Sequence, residues 1–218
     1  MKLRLVHEDD KVIVAEKPAG LLTMATSTER SRTAYALLRA YVKSKRPPET
    51  IFIVHRLDRE ASGLVVFAKT HEAKEQLQSQ FKQHTAGRTY NAVVEGRVNS
   101  DAFTIRSYLA ENSAYRVYTT KRSKLGKLAI THVRVLRRGS RTTLVELRLE
   151  TGRKHQIRVH LADAGHAIVG DKVYGTGSNP IKRLALHAVL LTFSHPGSGD
   201  AVQFESAYPK VFDSLVES

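Results

Sequence analysis

Cysteine is absent from this sequence of 218 residues. Without thiols the chain can form no disulfide, use no thiolate nucleophile and hold no cysteine-ligated zinc. A reducing compartment fits this composition, although the composition does not require one.

Long apolar runs are absent as well. The N-terminal stretch MKLRLVHEDDKVIVAEKP has three acidic residues within its first ten positions, unlike a signal peptide. No segment approaches the roughly 20 apolar residues of a membrane-spanning helix. The sequence therefore predicts a cytoplasmic protein with no membrane partner.

Several catalytic and nucleotide-binding motifs are also missing. The chain has no GxxxxGK[ST] or GxGxxG nucleotide loop, no HExxH zinc motif and no GxSxG nucleophile elbow. Ten histidines suggest a metal site, but His155 and His160 are five positions apart and would diverge by about 140° on a helix. We therefore expect no metal ion.

Acidic residues are few relative to basic ones, since 35 Lys and Arg against 21 Asp and Glu give a formal net charge of +14. This charge favours a polyanionic partner, nucleic acid before an acidic membrane surface. Residues 121–158 hold twelve Lys or Arg and only two acids. Their side chains are either a solvated strand face or a track for a polyanion.

Hydrophobic periodicity predicts strands and helices in irregular alternation. Strands are predicted from residue 11 to the break at Pro18 and Gly20, and over 88–96, 141–150, 184–193 and 201–207. Helices are predicted over 33–46, ending before Pro47 and Pro48, from the cap Thr70 to near Gly87, and over 153–165. Because no regular βαβ rhythm appears, we predict an α+β fold. It has a mixed, largely antiparallel central sheet flanked by helices and loops, in a single domain over 1–218.

The stretch VHRLDREASGLVVFAKT (54–70) places many charges directly before a buried strand. Asp58 lies between Arg56 and Arg59, and one guanidinium within reach lowers the pKa of an aspartate by about 1–3 units. A Ser-Gly turn follows, and the ring of His55 is predicted to hold this turn rather than to shuttle protons. The pattern indicates a carboxylate that is kept ionised.

A second basic stretch, ETGRKHQIRVHL (150–161), could balance that carboxylate. Arg153, Lys154 and Arg158 open the predicted helix, and a helix start suits anions. Taken alone, the stretch is better explained as a capped, basic helix start.

Taken together, these motifs resemble the RluA-type family of RNA pseudouridine synthases. They are HRLDREASGL at 55–64, RxY at 88–90 and TGRKHQIRVHLADAGHAIVGDKVYG at 151–175, with KPAGLL at 17–22 and LALHAVLLTFSHP at 184–196. The likeness runs from about residue 9 to residue 207. It implies a pseudouridine synthase fold with the active site in a basic cleft. It also implies an enzyme that isomerises uridine in ribosomal or transfer RNA without metal or cofactor.

The resemblance further implies roles for single residues. Asp58 would be the catalytic aspartate, acting as nucleophile or as base at the sugar. Tyr90 would lie against the target base, Arg158 would pair with Asp58, and Arg56 would enter the space left by the flipped base. The other residues predicted to bind RNA are Arg59, Arg88, Arg153, Lys154 and His155.

Some features depart from the family's pattern. Ala61 replaces a common Thr, Arg88 a usual Lys, and Ala167 a usual Pro, so target preference is affected more than activity. The extra N-terminal RNA-binding domain of many members is expected to be missing, because the first predicted strand begins by residue 11. A monomer is expected.

Two other functions remain as alternatives. The first is a catalytically silent RNA-binding or ribosome-assembly factor on the same fold, for which basic strands and stacked aromatics would suffice. The second is a phosphate-ester hydrolase that uses Asp58. It is weaker, because it would need a metal ion and no second carboxylate stands at a suitable spacing.

Overall fold

The computed structural model describes residues 3–45 and 49–217. In chain order the elements are β1 (Arg4–Glu8), β2 (Val12–Lys17), α1 (Ala34–Lys45), β3 (Phe52–Ile53), β4 (Ser62–Ala68), α2 (His71–Lys82), β5 (Gly87–Glu95), β6 (Ala102–Glu111), β7 (Val117–Thr120), β8 (Lys127–Arg138), β9 (Thr142–Leu149), α3 (Gln156–Asp163), β10 (Leu186–Ser194), β11 (Ala201–Glu205) and α4 (Val211–Val216). No helix in the described ranges is long and apolar enough to cross a membrane. The predicted helix end at Pro47 and Pro48 lies outside the described residues.

The chain divides into two compact units, and the first comprises Met1–Arg88 and Ala188–Ala207. Its strands are ordered β1-β2-β4-β10, with β3 paired to β4 and β11 paired to β10. The antiparallel pairing of β2 with β4 runs from Val12 opposite Ala68 to Lys17 opposite Gly63. Every residue of β4 is buried, because its apolar run is covered on both faces.

Helix α2 supplies one cover of this first unit. The Thr70 hydroxyl accepts a hydrogen bond from the backbone N–H of Ala73 at 3.2 Å, which caps the helix as predicted. Ala73 and Leu77 are buried in the core and Phe81 packs against it. The helix ends at Lys82, earlier than predicted, because Gly87 already belongs to β5.

The second unit comprises Thr89–His187 and Tyr208–Ser218. Its strands are ordered β5-β9-β8-β6-β7. The predicted alternation of β9 is confirmed only in part: Thr143, Val145 and Leu147 are fully buried, but Leu144 on the opposite face is buried as well and Leu149 is only partly buried. The long pairing of β6 with β8 extends from Ala102 opposite Arg134 to Leu109 opposite Lys127, so much of the basic stretch lies on strand β8 and the turn before it.

The predicted start of the third helix at residue 153 is wrong. Helix α3 begins at Gln156, after His155 has adopted a left-handed backbone with φ of 53°. The Gln156 side chain explains this start, since its Oε1 accepts the backbone N–H of Arg153 at 3.0 Å and the Thr151 hydroxyl at 2.7 Å. Arg153 and Lys154 therefore lie on a turn before the helix.

The predicted fold class is confirmed. The pairings β1–β2, β2–β4, β5–β9, β6–β8 and β8–β9 are antiparallel, while one isolated bridge, between Leu22 and Thr33, is parallel. Helices α1 to α4 complete an α+β arrangement. That the whole of 1–218 forms a single domain stays a prediction.

Candidate functional site

The loop that carries Asp58 connects β3 to β4 in the first unit. Asp58 is partly exposed, whereas Leu57 before it and Ala61 after it are buried. The loop thus anchors apolar side chains on both sides of the carboxylate. Arg56 and Arg59, predicted to bind RNA, are exposed.

A fully buried lysine fastens this loop to the end of β2. The Lys17 ammonium donates to the carbonyl oxygens of Pro18 at 3.0 Å and Leu21 at 2.7 Å. It also donates to those of Arg59 at 3.2 Å and Ala61 at 2.6 Å. A buried charge is costly unless such bonds satisfy it. Lys17 therefore holds residues 18–21 and 59–61 together just after Asp58.

Thr23 fixes the backbone just before Asp58. Its hydroxyl donates to the Leu57 carbonyl at 2.9 Å and accepts the Leu57 N–H at 3.1 Å. The N–H of Gly20, which has a φ of 83°, donates to the Arg59 carbonyl at 2.8 Å. The backbone is therefore bonded on both sides of Asp58.

The residues Ser62 and Gly63, predicted as a turn, are the first residues of β4. Gly63 has a φ of 110°, and a Cβ there would lie 2.3 Å from the carbonyl oxygen of Ala188. Only glycine can let these backbones approach so closely. The strand thus begins immediately behind the Asp58 loop.

His55 is held by β4, so its predicted role as a hydrogen-bond partner is confirmed, but it bonds to the strand and not to the predicted turn. Its Nε2 accepts the backbone N–H of Val66 at 3.2 Å, and its ring stacks on Phe81 at 4.6 Å. Burial, followed by the nearby charge of Arg88, lowers the pKa of His55 to about 3. The ring is therefore neutral at physiological pH. Arg88 itself lies 5.2 Å from the Phe81 ring.

In the second unit, Arg158 forms a buried ion pair with Asp171. Its Nε and Nη2 each donate to a separate Asp171 oxygen at 2.7 Å. Asp171 Oδ1 also accepts the backbone N–H groups of Val173 and Tyr174 at 2.9 and 3.0 Å. Burial alone would raise the pKa of Asp171, but the bonds and charge of Arg158 outweigh burial and lower it. The carboxylate is ionised and fixes the plane of the guanidinium.

Tyr174 extends this group of side chains. Its ring lies 5.2 Å from the Arg158 guanidinium carbon and 5.5 Å from that of Arg116. Its hydroxyl is 3.0 Å from His155 Nδ1 and accepts the backbone N–H of Val117 at 3.2 Å. His155 is thus positioned by Tyr174 at the start of α3.

The remaining predicted residues have defined partners in the second unit. Arg153 Nε donates to the Leu128 carbonyl at 3.0 Å. Lys154 Nζ forms an ion pair with Glu111. Tyr90 lies on β5 opposite Leu147 and is 6% exposed.

The predicted site residues therefore fall into two groups. The first unit contains Asp58, its arginine neighbours and Arg88, and the second contains Tyr90, Arg158 and the residues around α3. The pairing of Arg158 with Asp58 stays a prediction, as do the assigned roles. The sequence analysis did not identify Lys17, Thr23 or Asp171 as supports. Asp171 lies in a quoted motif, but nothing local marks it as the partner of Arg158.

Comparison with known proteins gives consistent matches. The family model described as RNA pseudouridylate synthase matches residues 11–163. The chain is 40% identical over 221 residues to the ribosomal large subunit pseudouridine synthase D of Neisseria meningitidis serogroup A, covering 96% of this chain and 59% of that relative. It is 37% identical over 218 residues to the uncharacterized RNA pseudouridine synthase YhcT of Bacillus subtilis, covering 98% and 71%. The chain thus spans less than two thirds of the length of the Neisseria relative.

A solved structure has a similar fold. Human RNA pseudouridylate synthase domain containing 1 superposes with a TM-score of 0.79 at 24% identity, covering 99% of this chain and 88% of the human one. At this identity the likeness concerns the fold alone.

Proposed function

Because this chain belongs to the RluA-type family of RNA pseudouridine synthases, we propose that it isomerises uridine in RNA to pseudouridine, with Asp58 as the catalytic carboxylate. The observation that carries this proposal is the fixed Asp58 loop. Lys17 and Thr23 bond to its backbone on both sides of the carboxylate. Such a preorganised loop suits a catalytic carboxylate that must be positioned against one particular atom of its substrate.

The reaction breaks the bond between ribose C1′ and uracil N1 and forms a bond between C1′ and C5. The proton on C5 leaves and N1 gains a proton, so the atoms balance without any co-reactant. Asp58 acts on the sugar, either as nucleophile or as base. Each role requires an ionised carboxylate.

In this proposal Arg158 supplies the positive charge that keeps Asp58 ionised. An opposite charge at close range lowers the pKa of an acid by about 1–3 units. The Asp171 pair fixes the plane of the guanidinium through Nε and Nη2, while the Asp171 carboxylate offsets part of the positive charge. Tyr90 is proposed to contact the uracil ring, and its burial means that only a base that has left its stack could reach it.

The substrate is proposed to be ribosomal or transfer RNA. The protein is proposed to act on it as a monomer in the cytoplasm. The relatives named as ribosomal large subunit synthases support ribosomal RNA. A target uridine must leave its stack at a cost of roughly a few kcal/mol. The exposed Arg56 is proposed to fill the gap, while Arg59, Arg88, Arg153, Lys154 and His155 are proposed to contact RNA.

The proposal predicts that Asp58→Asn abolishes turnover but preserves RNA binding, because the amide keeps the shape of the side chain and loses its charge. Release of tritium from C5 of labelled uridine measures turnover in ribosomal and transfer RNA pools. We expect at least about a 100-fold loss of rate. Filter binding of the same RNA should change less than about twofold.

Glu60→Gln is the matched control, since it removes an exposed carboxylate from the same loop. Its turnover should equal that of the wild type. If the wild-type protein releases no label from either pool, the proposed activity is refuted. If Asp58→Asn retains even a few per cent of the rate, Asp58 is neither nucleophile nor base.

A further inference from the structure

The turn between β6 and β7, Asn112–Arg116, presents an unusually exposed aromatic ring. Tyr115 is 76% exposed, the highest value among the large hydrophobic side chains of the described residues. Its backbone has a φ of 59°, a left-handed conformation that a bulky side chain rarely adopts. Such a conformation persists only where its surroundings enforce it, and it recurs at ligand-binding sites.

The turn that carries Tyr115 is tightly bonded. The Asn112 N–H donates to the Arg116 carbonyl at 3.0 Å, and the Tyr115 N–H donates to the Asn112 carbonyl at 2.9 Å. The Asn112 side chain accepts the Arg116 N–H at 2.9 Å. The ring is therefore exposed on an already ordered turn, so a ligand that stacks on the ring would not have to order the turn first.

One cation lies beside the ring, and a second residue with a cationic side chain follows Tyr115 in the sequence. Lys154 Nζ lies 5.6 Å from the Tyr115 ring centroid and donates to the Tyr115 carbonyl at 3.1 Å. Arg116 donates to the Val173 carbonyl at 3.2 Å, and its side chain contacts no carboxylate within the described residues. Glu111 pairs with Lys154 and offsets part of that charge. The surroundings of the ring remain suited to an anionic chain.

The turn is also connected to Arg158. Arg116 and Arg158 both lie against the ring of Tyr174, at 5.5 and 5.2 Å. All these residues belong to the second unit. Tyr115 is therefore next in the sequence to a residue that shares the Tyr174 ring with the proposed catalytic arginine.

We propose that Tyr115 is a stacking platform for an unpaired base of the RNA substrate that flanks the target uridine. This inference rests on the proposed function. A base offers a flat π-face to the phenol ring, and its phosphate can meet Arg116, whose side chain has no carboxylate partner within the described residues, whereas an apolar protein partner would leave Arg116 without a counter-charge. Stacking of this kind tolerates any base. Tyr115 therefore contributes affinity and orientation rather than sequence preference.

The test measures binding of a uridine-containing single-stranded RNA 15-mer that carries one 2-aminopurine, a base whose fluorescence is quenched on stacking. Tyr115→Asn removes the ring while tolerating the left-handed backbone, and Tyr115→Trp keeps a stacking surface. The matched control is Tyr118→Thr, which removes a partly exposed tyrosine from β7. The full chain is used at fixed salt, with the label moved through each position.

We expect Tyr115→Asn to raise the Kd about tenfold and to remove the quenching at one label position. Tyr115→Trp should bind like the wild type, and Tyr118→Thr should change the Kd less than about twofold. The slope of log Kd against log salt should be the same for Tyr115→Asn and the wild type, because no phosphate contact is lost. A slope reduced by about one would instead mean that the variant had displaced a cation.

Any of four results would overturn the proposed role of Tyr115 as a stacking platform. They are an unchanged Kd for Tyr115→Asn, an equal loss of affinity for Tyr118→Thr, a reduced salt slope for Tyr115→Asn, and no RNA binding by the wild type. If RNA binding by Tyr115→Asn is unchanged, the exposed ring would instead be assigned to contact with a protein partner. The binding assay does not depend on turnover. If the wild type releases no tritium while Tyr115→Asn loses affinity, the proposed activity fails, and Tyr115 remains an RNA-stacking residue with no target uridine beside it. If the wild type is active and Tyr115→Asn is indistinguishable from it, the platform alone fails.

Discussion

At the scale of single residues, Asp171 determines how Arg158 is presented. The two side chains are 0% and 5% exposed, so neither charge is compensated by water. Arg158 occupies both Asp171 oxygens, and two backbone N–H groups complete the coordination of the carboxylate. A buried ion pair adds little net stability compared with an apolar pair, but removing one partner is costly. We therefore interpret the pair as a device for orientation.

We predict that Asp171→Asn lowers both stability and turnover. The amide leaves the buried guanidinium without a counter-charge, so the free energy of unfolding in urea should fall on the order of 3 kcal/mol at pH 7. Because the pKa of Asp171 is lowered from its ordinary value of 3.8, the stability it contributes is present above that pH and is lost as pH falls further. The difference between variant and wild type should accordingly shrink below about pH 4. Asp200→Asn, in an exposed turn, is the control, and an equal loss there would contradict the assignment.

At the scale of elements, α3 is anchored to two strands by buried polar side chains. His160 is fully buried. Its Nδ1 lies 2.9 Å from the Thr131 hydroxyl on β8, and its Nε2 lies 3.0 Å from the Ser107 hydroxyl on β6. Burial lowers the pKa of His160 to about 4, although Asp163 raises it slightly. The helix that carries Arg158 is therefore anchored to β6 and β8 through the neutral imidazole of His160.

This anchor predicts loss of stability on mild acidification. In the unfolded chain His160 binds a proton near its ordinary pKa of 6.5, whereas the folded chain resists protonation until about pH 4. The unfolded state thus binds more protons between these values, and stability should fall on the order of 2 kcal/mol as pH drops from 6.5 to 4. Urea unfolding across this range measures the effect. His160→Gln should reduce the pH dependence without abolishing it, because His55, whose pKa is lowered to about 3, contributes in the same range, while the exposed His84→Asn should leave the profile unchanged. An unaltered profile in His160→Gln would show that the slope arises elsewhere, His55 being the next candidate.

Local signals predicted elements well where the determining contact is itself local. Thr70 and Ala73 are three residues apart, so the cap of α2 could be predicted from the sequence. The start of α3 could not be predicted in this way, because it depends on the Gln156 side chain, which accepts hydrogen bonds from the Arg153 backbone N–H and the Thr151 hydroxyl. The anchoring role of Lys17 cannot be predicted from the local sequence, since two of its carbonyl acceptors belong to residues 59 and 61. The motif positions of Asp58 and Arg158 were visible in the sequence, but Asp171 as the partner of Arg158 required the fold.

At the scale of the whole molecule, the excess of basic charge is only partly available to a ligand. Within residues 121–158, three arginines of β8 bridge to carboxylates, namely Arg134 to Glu146, Arg137 to Asp213 and Arg138 to Asp101. Lys154 and Arg158 are paired as well. By contrast, the exposed turn before β8 carries Lys121, Arg122 and Lys124, whose side chains contact no carboxylate within the described residues. The predicted track is therefore strongest at this turn.

This distribution predicts that position, and not net charge alone, governs affinity for RNA. Replacing Lys121, Arg122 and Lys124 by Gln should weaken binding and lower the slope of log Kd against log salt by about 2, since each lost phosphate contact removes roughly 0.7–0.9 of slope. Replacing Lys43, Lys74 and Lys82 on α1 and α2 by Gln removes an equal number of positive charges from the first unit. That control should shift affinity slightly and leave the slope nearly unchanged, because none of these lysines is among the proposed RNA-binding residues, and charges that do not contact a phosphate act only through a field that salt screens within about 10 Å at 0.1 M. Equal slopes for the two triple variants would mean that RNA responds to the total charge, and the turn before β8 would then have no special part in binding.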